Sequence, residues 1–185
     1  VNYELGWKER HGAHAWKAAL FHTDIRDNIS ATWNSARSSY SYINEDFRDT
    51  GIELTWDIDD ATPFSYHWGV TWQNPEAKST KKGYWDRKYG RIQLTGGVRY
   101  HQAKWTSDLS ASFLGARVQT PSGDHSFDSK PYLLTKWNTM YAPDAQNEFS
   151  LAIMNVLDRH DVISHSSSTY YSAPISYLFN YTYKF

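Results

Sequence analysis

Apolar and polar side chains alternate along most of this chain with a period of two residues, the pattern of a β-strand whose two faces meet different surroundings. The clearest stretch is the C-terminal one, where every second residue from Ile175 to Phe185 is aromatic or aliphatic. Residues 64–73, 92–101 and 149–153 repeat the alternation. Helical spacing fits none of these stretches better, so the pattern predicts an all-β fold.

The alternation predicts about nine strands, at residues 2–9, 14–31, 41–57, 63–74, 90–104, 108–119, 130–143, 148–157 and 173–185. Their connections alternate between short (10–13, 58–62, 105–107, 144–147) and long (32–40, 75–89, 120–129, 158–173). Outer-membrane barrels have short periplasmic turns and long extracellular loops, whereas a soluble sandwich has no reason for such a rule. The expected fold is a transmembrane antiparallel β-barrel.

Composition narrows the alternatives. The mean hydropathy is -0.70, yet 17% of residues are aromatic, with nine Trp and fourteen Tyr. A carbohydrate-binding sandwich would account for this, and so would a barrel wall with a polar lumen and aromatic interface girdles. No apolar run reaches the length of a transmembrane helix. A net charge of -1 gives no electrostatic argument for nucleic acid, and the absence of Cys removes disulfides and thiolate metal sites.

The loop lengths also predict an orientation. The last connection is long and therefore expected to be extracellular, so the final strand runs toward the periplasm and leaves Phe185 there. Counting back places Val1 on the extracellular side. Complete single-chain barrels have an even strand number and both termini in the periplasm. We therefore expect strands upstream of Val1 that this chain lacks.

Four segments resemble TonB-dependent outer-membrane receptors of the ferric siderophore type. They are LFHTDIRDNI from Leu20, YINEDFRDTGIELTWDI from Tyr42, EFSLAIMNVLDR from Glu148 and the terminal ISYLFNYTYKF. The resemblance implies a 22-stranded barrel around an N-terminal plug domain. Residues 1–185 are then expected to be the C-terminal part of that barrel, about nine strands, with the plug and the upstream strands absent.

The resemblance implies a receptor that captures and imports a ferric siderophore or similar metal chelate with energy from TonB, and no cofactor. The implied partners are the chelate, the receptor's own plug and remaining strands, TonB through the missing N-terminal part, outer-membrane lipid and lipopolysaccharide. Phe185, Tyr183 and Tyr181 would form the signal read by the barrel-assembly machinery.

Cationic and aromatic side chains in the long connections are the candidates for chelate binding, because they neutralise and pack against an anionic ligand with planar groups. These candidates are Tyr84, Trp85, Arg87, Lys88, Arg37, His125 and Tyr170. Trp33 and Tyr40 are further candidates, with an outer aromatic girdle as the alternative. Residues 75–89 carry five cations against two acids, Glu76 and Asp86. Contact with anionic lipopolysaccharide would also account for that excess.

Clusters that suggest other chemistry are more simply read as structural or solvated groups. Asp57, Asp59 and Asp60 lack the EF-hand glycine and glutamate, so we expect a solvated turn and no metal site. Asp158 is expected to end a strand and serve structure. His165 beside Ser164, Ser166 and Ser167 has no nucleophile motif, and we expect no catalytic residue.

Two rival functions remain open. One is a small self-contained outer-membrane barrel that serves as an adhesin or structural protein, and the other, less favoured, is an outer-membrane lipid enzyme. A plug domain upstream would decide for the receptor, and an even strand count that closes on itself would decide for the small barrel.

Overall fold

A computed structural model describes residues 1–34, 36–79, 83–119, 125–165 and 169–185. The strands are β1 (Asn2–His11), β2 (His14–Asn34), β3 (Ser39–Asp59), β4 (Phe64–Gln73), β5 (Glu76–Ser79), β6 (Asp86–Arg87), β7 (Gly90–Gln102), β8 (Trp105–Gln119), β9 (Phe127–Ser129), β10 (Tyr132–Tyr141), β11 (Asn147–Met154), β12 (Val162–His165), β13 (Thr169–Tyr171) and β14 (Ser176–Tyr183). Over these ranges no helix is long and apolar enough to cross a membrane.

Nine long strands form one antiparallel meander, which confirms the strands predicted from the alternation. Their order is β1-β2-β3-β4-β7-β8-β10-β11-β14, so each long strand pairs with the next one in the chain. The short strands β5, β6 and β9 attach beside this path, and β12 and β13 form a separate hairpin. β1 and β14 lie at opposite ends of the strand order and do not pair with each other, so the sheet is open in the part of the chain described.

The connections lie alternately at two ends of the sheet. The turn end holds the four short connections, 12–13, 60–63, 103–104 and 142–146, and the loop end holds the other four, of which three are long. Gly12 adopts a φ of 57° in the β1–β2 turn, a conformation that glycine reaches without steric penalty.

Two connections differ from their predicted positions. The predicted turn at 105–107 is wrong, because Trp105 already pairs with Gln102 and Tyr141 in β8. The connection predicted at 32–40 shrinks to residues 35–38, since β2 and β3 stay paired up to Asn34 and Ser39. In both places, residues whose polar side chains predict a loop are hydrogen-bonded within the sheet.

The two faces of the sheet have opposite chemistry. The inner face lines a partly open cavity of about 870 Å³, and the side chains around it include His67, Arg99, Asp108 and Lys136. Asp57 and His67 pair there at 2.6 Å, and Arg99 and Asp108 at 3.4 Å. Arg99 and Lys136 therefore face the interior, and Asn138 shares their face through its pairing with Asp108.

The outer face carries the apolar side chains, and they stay exposed. Leu20, Trp68 and Trp72 are 53–54% exposed, whereas the buried apolar side chains among the described residues are Ala77, Ile153 and Pro75. A soluble sandwich packs its apolar face into a core. This sheet has no such core in its described part, so its apolar side is built to meet an apolar surrounding.

Aromatic pairs concentrate near the turn end of the outer face. Their partners are Trp16 with Trp56 (4.5 Å between ring centroids), Phe64 with Tyr100 (5.1 Å), Trp105 with Tyr141 (4.4 Å) and Phe149 with Tyr181 (5.0 Å). Each pair joins neighbouring strands, so the rings form a band across the sheet. Such bands are typical of the membrane interface in transmembrane barrels.

Candidate functional site at the loop end

The loop end is organised by a small extension of the main sheet. β5 pairs with the distal part of β3, from Arg48 opposite Glu76 to Glu45 opposite Ser79, and β6 pairs with β5. Residues 76–79 are therefore fixed along β3 by backbone hydrogen bonds. Of the candidates in this connection, Arg87 lies in β6, and Tyr84, Trp85 and Lys88 flank that strand.

Three interactions hold the candidate residues of this connection against β3. The Arg48 guanidinium lies 4.2 Å from the centre of the Trp85 ring and forms an ion pair with Glu76 at 2.7 Å. Lys88 forms an ion pair with Glu45 at 3.1 Å. The expected excess of positive charge is therefore reduced at Lys88, which is neutralised by Glu45 on β3, a residue that sequence spacing did not connect to this loop. Lys81 and Lys82 lie outside the described residues.

Arg87 and Asp86 tie this connection to the next long one. Arg87 donates to a carboxylate oxygen of Asp128 at 2.8 Å and to the carbonyl oxygen of Ala116 at 3.2 Å. Asp86 accepts hydrogen bonds from the backbone N–H (2.8 Å) and the hydroxyl (2.5 Å) of Ser126. Hydrogen bonds to charged groups stabilise by about 1.5–3 kcal/mol each. Arg87 therefore has a structural contact in addition to its predicted role toward a ligand.

The same junction brings two candidate rings together. Tyr84 and His125 stack with centroids 4.2 Å apart and planes 23° apart. The two residues are 41 positions apart in the sequence, and the Asp86–Ser126 and Arg87–Asp128 contacts hold their connections together. We call Tyr84, Trp85, Arg87 and His125 the loop cluster.

The remaining candidates lie elsewhere at the loop end. Arg37 is exposed in the turn between β2 and β3, and Tyr170 is 57% exposed in β13. No contact joins either residue to the loop cluster in the described ranges. Trp33 and Tyr40 pair across the β2–β3 hairpin, in a T-shaped contact 5.2 Å between centroids.

The connection from β11 to β14 is closed by buried polar residues. Asn155 is 7% exposed and has a φ of 52°. Its amide nitrogen donates to the carbonyl oxygens of Arg159 (2.8 Å) and Ala173 (2.7 Å), and its amide oxygen accepts from the Arg159 N–H at 3.0 Å. The carboxylate of Asp158 accepts from the Ile175 N–H at 2.9 Å, which confirms its structural role.

Asp161 is the second anchor of this connection. Its carboxylate receives two hydrogen bonds from Arg159, at 2.7 and 2.9 Å, and one from the Leu133 N–H at 3.0 Å. These contacts, the Arg159 hydrogen bond first, hold the pKa of Asp161 below its ordinary value. The carboxylate is therefore ionised at neutral pH and joins the root of the connection to β10.

Arg117 is a residue that sequence reasoning missed. Its guanidinium donates to the carbonyl oxygens of Lys130 (3.0 Å), Val162 (2.6 Å) and Ile163 (2.6 Å), and it lies 4.5 Å from the centre of the Tyr132 ring. The β12–β13 hairpin is thereby held to β8 and β10. A single arginine followed by Val118 gave no sequence signal, because its partners are backbone atoms 45 and 46 residues away.

The predicted assembly residues lie at the open edge of the sheet. Tyr181 donates to the side-chain oxygen of Asn147 at 2.6 Å, and Tyr183 and Phe185 make an edge contact at 5.2 Å. All residues of β14 are exposed. Ser166 and Ser167 of the weak catalytic candidate lie outside the described residues. Within the described ones, no group of three or more His, Asp or Glu side chains is placed to hold a metal ion.

Comparison with known protein families shows the family to which the chain belongs. Residues 1–180 match the family described as TonB dependent receptor-like, beta-barrel. The chain belongs to this family. The open nine-strand meander with alternating connections is thus a segment of a TonB-dependent receptor barrel, and the resemblance noted in the sequence is confirmed.

Solved structures of TonB-dependent receptor barrels share this fold at low sequence identity. The FrpB iron transporter from Neisseria meningitidis is 14% identical with a TM-score of 0.77, over 100% of this chain and 31% of that one. The pyoverdine outer membrane receptor FpvA from Pseudomonas aeruginosa PAO1 is 18% identical with a TM-score of 0.76, over 100% and 29%. The ferric-catecholate import receptor Fiu from K12 E. coli is 20% identical with a TM-score of 0.71, over 100% and 27%.

The chain spans between about a quarter and a third of the length of these receptors. A search of curated proteins gave no match. The named relatives are transporters and receptors, so the family as a whole points to transport and not to enzymatic catalysis. At these identities the structural likeness shows the fold, and the ligand of this chain has to be argued from its own residues.

Proposed function

We propose that this chain is the C-terminal wall of an outer-membrane receptor that captures a ferric siderophore or similar metal chelate and imports it with energy from TonB. The observation that carries the proposal is the loop cluster, in which two connections are tied together so that Tyr84 and His125 stack at 4.2 Å. The ferric-siderophore and metal receptors among the structural neighbours support the ligand class.

The orientation follows from the same proposal. The loop end faces the outside, the turn end faces the periplasm, and Phe185 ends in the periplasm. From Phe64 to Trp72 the outer face spans about 20 Å at a rise of ~3.3 Å per residue and a tilt of ~40°, close to the apolar band of about 25 Å expected for such barrels. Lipid then contacts the outer face, and the barrel-assembly machinery reads the β14 edge.

Capture would use the rings more than the charges of the loop cluster. Arg87 and Lys88 already have carboxylate partners, at 2.8 and 3.1 Å, so they contribute a weaker field than free cations. The Tyr84 and His125 rings offer planar surfaces that can pack against the rim of a chelate. Arg87 can contribute its positive charge when its ion pair with Asp128 opens. The inner-face cavity below them is where the receptor's own plug domain would lie, and the missing upstream strands would close the barrel.

A binding experiment on purified full-length receptor tests this proposal. The ferric chelate that the wild type binds is first identified by screening catecholate, hydroxamate and mixed chelates. We expect Tyr84→Ala with His125→Ala to weaken the affinity for that chelate at least tenfold. Tyr141→Ala, which breaks a comparable ring stack of 4.4 Å at the turn end, is the matched control and should leave affinity unchanged. Equal affinities of the double variant and the wild type would remove the loop cluster from the ligand site.

A further inference from the structure

The guanidinium of Arg87 is held in place by the backbone around it. Arg87 pairs with Glu76 in the small β5–β6 extension, and its backbone N–H donates to the Asp86 carboxylate at 2.9 Å. One nitrogen of the guanidinium donates to the carbonyl oxygen of Ala116 at 3.2 Å. Because none of these contacts involves Asp128, the arginine keeps its place when that partner leaves.

Asp128 fills only a small part of the donor capacity of Arg87. A guanidinium has five N–H donors and can bind a carboxylate or a phosphate through two parallel hydrogen bonds. Asp128 accepts one hydrogen bond, at 2.8 Å, from a single nitrogen. The Nε of Arg87 is buried and has no hydrogen-bond partner among the described residues. The contacts of the folded loop therefore satisfy this arginine only in part.

The side chain of Asp128 can rotate away while the loops stay joined. It is 85% exposed to solvent, and its carboxylate contacts Arg87 alone among the described residues. Its backbone is fixed separately, because Asp128 pairs with Val118 in the β8–β9 ladder and the nearby Ser126 is hydrogen-bonded to Asp86. Exposed side chains change rotamer within picoseconds to nanoseconds. The ion pair can therefore open without any movement of the two connections.

We propose that Asp128 occupies Arg87 in the empty receptor as an internal substitute for an anionic group of the ligand, and that the ligand displaces it. The inference rests on the proposed function, in which the loop cluster captures the chelate. The Tyr84–His125 stack and the ion pair lie at the same junction of two connections, so a chelate packed on these rings can present its rim to the arginine. The ligand class is then a ferric chelate with an anionic oxygen group at its rim.

The exchange favours such a ligand because it replaces a weak contact by a stronger one. An exposed ion pair shifts an equilibrium by about fivefold at most, since water and salt screen its charges. An anion with two oxygens can make two hydrogen bonds to the guanidinium, and the stacked rings exclude part of the water beside them. Asp128 therefore keeps weakly binding anions of the medium off Arg87, whereas a ligand that also packs on the rings displaces it.

The test titrates inorganic phosphate into purified full-length receptor and follows the NMR amide signals of residues 86–88 and 126–128. We expect Asp128→Asn to bind phosphate about fivefold more tightly than the wild type. Asp128→Glu keeps the carboxylate and should bind phosphate as the wild type does. The matched control is Asp24→Asn, which removes the same charge from the exposed ion pair with Arg26 at 3.5 Å and should change nothing.

A second substitution shows whether Asp128 acts through Arg87. In an Arg87→Gln background, Asp128→Asn should change phosphate affinity by less than about twofold, because the group for which Asp128 competes is gone. An equal gain in both backgrounds would overturn the inference, since Asp128 would then only repel anions. Equal phosphate affinities of Asp128→Asn and the wild type would also overturn it.

Ferric-chelate affinity separates this inference from the proposed function. Asp128→Asn should strengthen the binding of an anionic ferric chelate and leave that of a neutral one unchanged. A receptor that shows the expected phosphate exchange but binds no ferric chelate would contradict the proposed function alone. A receptor that binds its chelate but shows no phosphate exchange would contradict this inference alone.

Discussion

Asn155 offers the sharpest test of how the long connection between β11 and β14 is held. Its side chain makes three hydrogen bonds of 2.7–3.0 Å in a nearly buried site, and its backbone φ is 52°. Asn155→Ala removes all three and puts alanine in a left-handed conformation that asparagine tolerates better. At about 1 kcal/mol for each hydrogen bond, the closed state loses about 3 kcal/mol. Each 1.4 kcal/mol is a factor of ten, so the open population should rise roughly 150-fold.

Trypsin reports that population, because the backbone of Arg159 is held in the closed structure while its side chain is 44% exposed. Its carbonyl oxygen accepts from Asn155 at 2.8 Å and from the Ser172 hydroxyl at 2.6 Å, so cleavage after Arg159 requires local opening. In detergent-solubilised full-length receptor, cleavage there should accelerate by about two orders of magnitude in Asn155→Ala. Asn138→Ala on the inner face of β10 is the matched control, and cleavage after Lys184 is the internal reference. Similar rates at Arg159 in all three proteins would refute the reasoning.

Three further outcomes are expected. Tyr181→Arg should lower the yield of folded, heat-modifiable barrel, whereas Thr182→Arg should have a mild effect. The reason is that an arginine facing lipid destabilises the barrel by about 2–4 kcal/mol at the midplane and by less near an interface. Equal yields would reject the assigned faces. Deletion of Phe185 should reduce outer-membrane assembly but not the chelate affinity of the assembled fraction, and a normal yield would count against an assembly signal there. The pKa of Asp161 is depressed, so its stabilisation is complete above the ordinary carboxyl pKa and declines as pH falls through the lower folded value. Protection of Arg159 from an acid-active protease should therefore persist at pH 5 and weaken only below about pH 4. Asp161→Asn should be poorly protected at both pH values. A loss of wild-type protection near pH 6 would contradict this assignment.

The strands and their faces could be predicted from the sequence, because a strand's side chains alternate strictly and the two faces here meet very different surroundings. Tyr181 pairs with Phe149 on the outer face and Thr182 with Glu148 on the inner one, as the alternation of the last strand predicts. The Asn155–Asp158 motif was also recognisable as a short polar motif after a strand, although two of its hydrogen bonds, with Ala173 and Ile175, span 18 and 17 residues. The family resemblance rested on these same local features.

The loop end was only partly predictable. The sequence named Tyr84, Trp85, Arg87 and His125 as candidates, and the structure brings these four into two adjoining connections. The sequence did not show that Arg48 and Glu45 on β3 would contact Trp85 and Lys88. Those contacts span about forty residues and depend on the pairing of β5 with β3. The charge count of residues 75–89 therefore gave more free positive charge than the folded loop retains.

The sequence by itself determined the period, the strand number and which side chains share a face. These properties are local, since they follow from the two-residue repeat of an extended backbone. Only the tertiary structure decided which loops touch and which charges neutralise each other. Those properties depend on the register between strands and on where each neighbour stops.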